Sequence, residues 1–255
     1  GCCNTHAHWQ CRGYRNALKW IHEKKPQVNE ETILALHNLA RGKIGDAGQY
    51  KKKDSDIIER YPDGTYSVRF RTVPASETPK QMKELIVDLL AYSQIGNKKM
   101  ILSEISCAEV LPEVINNLSG AVSDCGAKIQ VEPLPVIRGD RREVFQLFQN
   151  LIGNAVKYRD KTRTPEIRVF AEKKMDVWEF VVSDNGIGID AQSLEKVFDV
   201  FQRLHAKSEY PGTGIGLAIC RKIVEGMSGK IWVESKVGQG SLFHFTFPII
   251  QLGGI

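Results

Sequence analysis

The chain has 255 residues, of which 42% are hydrophobic and 25% charged, and its formal net charge is +5. These values suit globular protein with two modest cores, and they exclude a disordered chain or a fibrous repeat. The short basic runs (Lys24-Lys25, Lys51 to Lys53, Arg141-Arg142) are interrupted by acids, so a solvated surface is expected and not a nucleic-acid track.

No apolar run approaches the ~20 residues that cross a bilayer, and the first residues lack a signal-peptide pattern. A soluble, cytoplasmic protein is expected. Six irregularly spaced cysteines argue against a disulfide scaffold. Cys107, Cys125 and Cys220 stand among apolar residues and read as buried thiols. Cys2, Cys3, His6, His8 and Cys11 match no zinc spacing and read as a frayed terminus.

Residues 13–42 carry an apolar stripe at helical spacing, with Leu18 and Ile21 followed by Ile33, Leu34, Leu36 and Leu39. Two strand-like runs, 57–61 and 66–73, flank Pro62-Asp63-Gly64, which predicts a β-hairpin. Pro79 opens a helix that places Met82, Leu85, Ile86, Leu89 and Leu90 on one face and ends near Gly96. A further amphipathic helix is predicted over 110–122, a strand over 128–131, and a long helix over 141–158. Strands are expected at 166–171 and 177–183, a short helix at 194–201, a helix at 217–227, and closing strands at 230–235 and 241–248. Helices with mostly antiparallel strands in this mixture predict a two-layer α/β sandwich.

Three segments carry chemistry. On the helix over 141–158, Val144, Leu147, Phe148, Leu151 and Ala155 form the core stripe, while Asn150, Asn154, Lys157 and Tyr158 share another face. Two amides, an ammonium and a phenol on one face suit a nucleotide, although a solvated polar face reads equally well from this helix alone. The amide oxygen of Asn154 suits Mg²⁺, a hard cation that prefers oxygen. Asp184-Asn185-Gly186-Ile187-Gly188 follows a strand, and its glycines allow backbone to approach a ligand. A carboxylate at the base of such a loop accepts from the exocyclic amine of adenine and repels the guanine carbonyl. Gly212-Thr213-Gly214-Ile215-Gly216-Leu217 stands at the start of a helix, where unpaired N–H groups favour phosphate. Its spacing is neither that of the P-loop nor that of the dinucleotide fingerprint.

In this order the strings FQNLIGNAVKYRD, SDNGIGI, VFDVFQRL, GTGIGLAI and GQGSLFHFTFP resemble the GHKL ATPase superfamily, and within it the catalytic domain of sensor histidine kinases, over about 140 residues. The resemblance implies the histidine kinase ATPase (Bergerat) form of the α/β sandwich, with ATP and Mg²⁺ bound. It implies that Asn154 holds Mg²⁺ and Asn150 helps to orient the metal or its water. Lys157 and Tyr158 would contact phosphate and ribose, and Asp184 would read adenine with Gly186 and Gly188 beside it. Phe198 and Phe201 would anchor a mobile lid ending at Gly212, and Arg203 would reach the γ-phosphate. Gly214 and Gly216 would line the phosphate path, with Thr213 and Leu217 in the same string.

LIVDLLAYSQIG resembles the second helix of the hairpin through which histidine kinases dimerise, so a homodimer is an implied arrangement. The first helix, with its phospho-accepting histidine and acidic neighbour, has no counterpart among the six histidines. His22 precedes Glu23 but lacks the family's surroundings, and His205 reads as a solvated lid residue. GYRNALKWIHE, AGQYKKKDSDIIERYPDGTYSVRF and ASETPKQM instead resemble the N-terminal part of Fic-domain proteins, without that family's catalytic signature. The expected organisation is a Fic-like helical segment with a hairpin at 1–80, a partial dimerisation helix and linker at 81–107, and an ATP-binding domain at 108–250. The expected activity is transfer of the γ-phosphoryl group to a histidine on another chain, with a phospho-accepting domain or response regulator as partner. An ATP-binding regulatory module is the competing class, and AMP transfer lacks its motif.

Overall fold

The computed structural model describes residues 57–60, 66–70, 76–95, 102–202, 204, 210 and 212–249, together with six isolated helical positions between Trp20 and Ala35. Most of the helical reading over 13–42, the N-terminal cysteine and histidine cluster, His22, Arg203 and His205 lie outside the described residues. The chain divides into two compact units, Gly1–Leu90 and Ala91–Ile255.

In the first unit the predicted hairpin is present. Strand β1 (Ile57–Arg60) pairs antiparallel with β2 (Tyr66–Phe70), with Ile58 opposite Val68 and Arg60 opposite Tyr66. Helix α1 (Thr78–Gln94) has Pro79 in its first turn, where the missing N–H costs no intrahelical bond. Ile86 and Leu90, one helical turn apart, are its buried residues in this unit.

The second unit begins with β3 (Ser103–Ser106) and α2 (Cys107–Asn117), then α3 (Ser119–Cys125), β4 (Lys128–Val131) and β5 (Val136–Gly139). The long helix α4 (Arg141–Lys157) precedes β6 (Glu166–Lys174) and β7 (Val177–Asp184), and α5 (Gly216–Gly226) precedes β8 (Ile231–Lys236) and β9 (Gly240–Pro248). The main sheet has the order β4-β6-β7-β9-β8, in which only β4 and β6 run parallel; β3 and β5 form a separate antiparallel pair. Helices pack on one face of this mixed sheet, as the α/β sandwich requires.

Three expectations need correction. The helix foreseen over 110–122 starts earlier and is two helices, because Leu118 leaves helical geometry at ψ 3° and the second helix closes on left-handed Gly126. The helix foreseen over 194–201 is absent; two 3₁₀ turns, Ala191–Ser193 and Lys196–Phe198, stand there, the first capped by the Asp190 carboxylate accepting from the Gln192 N–H. Cys125 is half-buried, whereas Cys107 and Cys220 are fully buried. The pair β3 and β5 was not foreseen.

Helix α4 is held in place by its sequence at both ends and along one face. The Asp140 carboxylate accepts from the Arg142 N–H at 2.9 Å as N-cap, Glu143 lies in the first turn and Lys157 in the last, each favourable to the helix dipole. Its buried residues, among them Val144, Leu147, Phe148 and Leu151, fall at core spacing. Phe148 meets Phe180 of β7 edge-on at 6.1 Å and Phe245 of β9 edge-on at 5.6 Å, while those two strand rings stack at 5.1 Å. Phe247 adds edge contacts to both strand rings. All four rings are essentially inaccessible to solvent.

Removing the central ring of this cluster leaves a cavity in a site closed on every side. Phe245→Ala is expected to destabilise the chain by ~3–5 kcal/mol, with Phe245→Leu losing clearly less. Urea unfolding followed by circular dichroism measures both; equal losses would show that the ring's shape is not what matters.

Candidate functional site

The last turn of α4, the C-terminal end of β7 and the start of α5 border one cleft of about 600 Å³, its mouth included. Asn154, Tyr158 and Asp184 line it, with Leu217 from α5. Gly188 lines it too, so five of the residues singled out, from three separate motifs, share a wall.

Asp184 sits at the end of β7 and is largely desolvated. Burial pushes its carboxyl up to about 6, against accepted bonds from the Gly186 and Ser241 N–H groups and the charge of Arg163, all of which pull it down. The Gly186 N–H donates to Oδ1 at 2.8 Å. The loop that follows has no room for side chains. A Cβ on Gly186 would lie 2.5 Å from the Tyr158 carbonyl oxygen, and one on Gly188, at φ +73°, would lie 2.1 Å from the Lys236 carbonyl oxygen. Gly240, at φ +97°, faces the Asp184 carbonyl oxygen at 2.0 Å in the same sense. The Ile187 N–H donates to the Tyr158 carbonyl at 3.0 Å, which joins the loop to the end of α4.

Asn150 is placed differently. Its Nδ2 donates to the Gly216 carbonyl at 3.2 Å and its Oδ1 accepts from Gln146 at 3.3 Å, so its amide ties α4 to the first residue of α5. Lys157 donates to the Tyr158 hydroxyl at 2.9 Å and lies 4.5 Å from the centre of that ring. Gly212 faces the same ammonium, and a Cβ there would come within 2.7 Å of it. Tyr210 packs on Tyr158 with ring centres 5.0 Å apart.

The two phenylalanines read as lid anchors diverge. Phe198 is buried, edge-on to Phe243 at 6.3 Å and beneath the Arg221 guanidinium at 4.9 Å. Phe201 is 52% exposed, at φ +67°, and is held through its N–H, which donates to the Gly214 carbonyl at 3.0 Å. Gly214, at φ +76°, can take this turn because it lacks a Cβ. The Thr213 hydroxyl accepts weakly from the Ile215 N–H at 3.4 Å, and α5 starts without a side-chain cap. Its first N–H groups are the kind that anions satisfy.

The sequence reading missed seven lining residues: Ile187, Ile189, Val197, Gln202, Leu204, Ser241 and Phe243. All seven stand inside strings already quoted for the resemblance, so the signal was present and was assigned to their neighbours. Tyr210 had no such signal. Among the described residues there is no cluster of three His, Cys, Asp or Glu able to hold a metal unaided, and no helix long and apolar enough to cross a membrane.

Such a cleft, framed by glycine turns on an α/β sandwich, defines a nucleotide-binding ATPase domain. Residues 139–251 match the family model described as Histidine kinase-, DNA gyrase B-, and HSP90-like ATPase. The chain is 44% identical over 175 residues to Cyanobacterial phytochrome A of Nostoc sp., an alignment covering 69% of this chain and 23% of that protein. It is 43% identical over 168 residues to Phytochrome-like protein Cph1 of Synechocystis sp., covering 66% and 22% respectively. The chain thus spans under a quarter of the length of these relatives. The solved catalytic domain of histidine kinase ThkA superposes with TM-score 0.51 at 26% identity, covering 58% of this chain and 98% of that one. Residues 139–251 are a histidine kinase ATPase catalytic domain, and ATP is its nucleotide.

The environment of Asp184 has a consequence for stability. A carboxyl whose folded pKa of about 6 exceeds its ordinary 3.8 holds its proton more tightly when folded. Its unfavourable contribution is absent below the ordinary value, grows as pH rises from 3.8 to about 6, and is constant above that. Asp184→Asn is therefore expected to raise the thermal midpoint of the nucleotide-free chain at pH 7, with the difference vanishing near pH 4. Thermal melts at the two pH values test this, and a variant melting below wild type at pH 7 would refute the desolvated carboxylate.

Proposed function

We propose that this chain binds Mg-ATP in the cleft described and passes the γ-phosphoryl group to a histidine supplied by another chain. The observation that carries the proposal is the convergence of Asp184, Asn154 and Tyr158, from two separate motifs, on one cleft. In this reading residues 108–250 are the catalytic domain, 81–107 a partial dimerisation helix and linker that supports a homodimer, and 1–80 a Fic-like segment without a catalytic motif. A phospho-accepting histidine domain or response regulator in the cytoplasm is the partner, as two-component signalling requires.

Asp184 accepts from the adenine amine, and Ile187, Ile189 and Phe243 supply apolar surface around the base. Lys157, beside Gly212, neutralises phosphate charge while Tyr158 contacts the ribose. Gly212, Thr213, Gly214, Gly216 and the start of α5 line the phosphate path. Phe201 marks the start of the lid, from which Arg203 reaches the γ-phosphate. The donor set fits Mg²⁺ at Asn154, which offers an amide oxygen in the cleft, while the Asn150 amide one turn earlier is engaged by Gln146 and Gly216; the nucleotide's phosphates would complete the ligands. When bound, the ion neutralises charge on the transferring phosphoryl group.

Loss of a charged hydrogen bond in a desolvated site costs ~1.5–3 kcal/mol, so Asp184→Asn should weaken ATP binding ten- to a hundredfold while guanine nucleotides remain poor ligands. Asn154→Ala should remove the Mg²⁺ dependence of that affinity. Calorimetric titration with and without Mg²⁺ measures both, and a wild-type affinity indifferent to the ion would count against Asn154.

Transfer needs a nucleophile in line with the γ-phosphate, and no histidine of this chain stands in the family's acceptor context. The 255-residue chain is expected to bind ATP without autophosphorylation above background, yet to label an added histidine-bearing dimerisation hairpin. Acid-labile, base-stable phosphate on the wild-type chain alone, lost in His22→Ala or His205→Ala, would overturn the first half. Tight ATP binding without any transfer would favour a regulatory module instead.

A further inference from the structure

Arg163 lies in the segment between α4 and β6, in none of the motifs that carry the family resemblance. Its Nη2 donates to two carbonyls at once, those of Gly186 and Gly238, each at 2.9 Å. Gly186 belongs to the turn after Asp184, and Gly238 to the turn between β8 and β9. These turns already touch: the Gly238 N–H donates to the Ile187 carbonyl at 2.8 Å, and the Ser235 hydroxyl accepts from the Ile189 N–H at 2.8 Å. Arg163 closes the remaining side of that contact.

The segment carrying Arg163 is itself fixed to the same turn. The Asn185 amide oxygen accepts from the Glu166 N–H at 2.9 Å and its Nδ2 donates to the Thr164 carbonyl at 3.0 Å. Asp160 faces the guanidinium from behind, 3.6 Å from Nε, and accepts from the Thr162 N–H at 2.9 Å. Both bonds come from the two hydrogens of the one terminal nitrogen, which the long side chain carries between the turns while Nε stays on the Asp160 side; lysine and glutamine keep enough donors but place them on a different and shorter side chain.

We propose that Arg163 is a positioning residue for adenine recognition, bridging the two glycine turns that frame Asp184 and so holding its carboxylate in the form that accepts from the base. This rests on the ATP reading of the cleft. Arg163 is also the charged side chain that acts on Asp184, whose other polar partners are the N–H groups of Gly186 and Ser241. Its positive charge favours the ionised carboxylate that adenine needs. A merely structural arginine would affect folding and leave the proton equilibrium of Asp184 unchanged.

Adenosine, which has no phosphate to titrate, separates these roles. Its affinity for the whole chain is measured by calorimetry between about pH 5 and pH 8 for wild type, Arg163→Gln and Arg163→Lys, with thermal melts alongside. Wild-type affinity is expected to fall as pH drops through the Asp184 transition. Arg163→Gln should lose about tenfold in affinity at pH 7 and shift that fall to higher pH. Arg163→Lys, which keeps the charge on a shorter side chain with different geometry, should lose less and keep the wild-type pH midpoint. Unchanged adenosine affinity in both variants overturns the proposal, as does a loss in Arg163→Gln with an unmoved midpoint. If Arg163→Gln fails to fold, Arg163→Lys decides, since wild-type affinity in that variant removes the need for the guanidinium bridge. Folded wild type that binds no adenosine at any pH overturns the ATP reading, and the proposal falls with it.

Discussion

The position of α4 against the sheet is the constraint on which the site depends. Phe148 on one face of that helix packs against the stacked pair Phe180 and Phe245, one ring from each central strand. Edge-to-face and offset contacts fix angle as well as distance, so the helix cannot slide along or roll over the sheet without losing them. The rest of the helix surface then has no freedom of its own. Asn154 follows Phe148 by six residues and is placed beside the end of β7, which is the same strand that carries Phe180. A core interaction thereby sets the distance between the amide and the Asp184 carboxylate.

Around that fixed frame the chain makes approaches that only glycine permits. Gly188 against the Lys236 carbonyl and Gly240 against the Asp184 carbonyl are mutual contacts between two turns, each at a positive φ and each with a carbonyl oxygen where a side chain would begin. Close backbone approach brings N–H groups next to the carboxylate while excluding the water that would otherwise solvate it. Both effects act on Asp184 together, and desolvation is the larger, as its elevated pKa shows. The packing that positions the Asp184 carboxyl thus also raises its pKa to about 6.

How much of this could be read beforehand depended on the range of the interaction. The β1–β2 hairpin followed from Pro62-Asp63-Gly64 between strand-like runs, and α4 from its apolar spacing, because those signals are local. The glycine turns were legible as loops of close approach. The pair β3 and β5 was not, since four-residue strands carry little periodicity. The 3₁₀ turns at residues 191–198 retain helical spacing over a few residues, so periodicity alone cannot separate them from an α-helix. Phe201 read as an anchor because it is aromatic, yet its ring is outward and its backbone makes the attachment. Arg163 left no mark at all, because its partners lie 23 and 75 residues away and are carbonyls, which every residue has.

The cleft and its borders collect features that lower the stability of a fold: a desolvated carboxylate, a phenylalanine at positive φ, and a helix start without a side-chain cap. A ligand that donates to the carboxylate and brings anionic oxygens to the helix N-terminus would answer two of them. Whatever satisfies these groups stabilises the folded state in proportion to its affinity. The same region carries the bond from the Phe201 N–H to the Gly214 carbonyl and the close approach of Gly212 to the Lys157 ammonium, so a ligand placed there meets both.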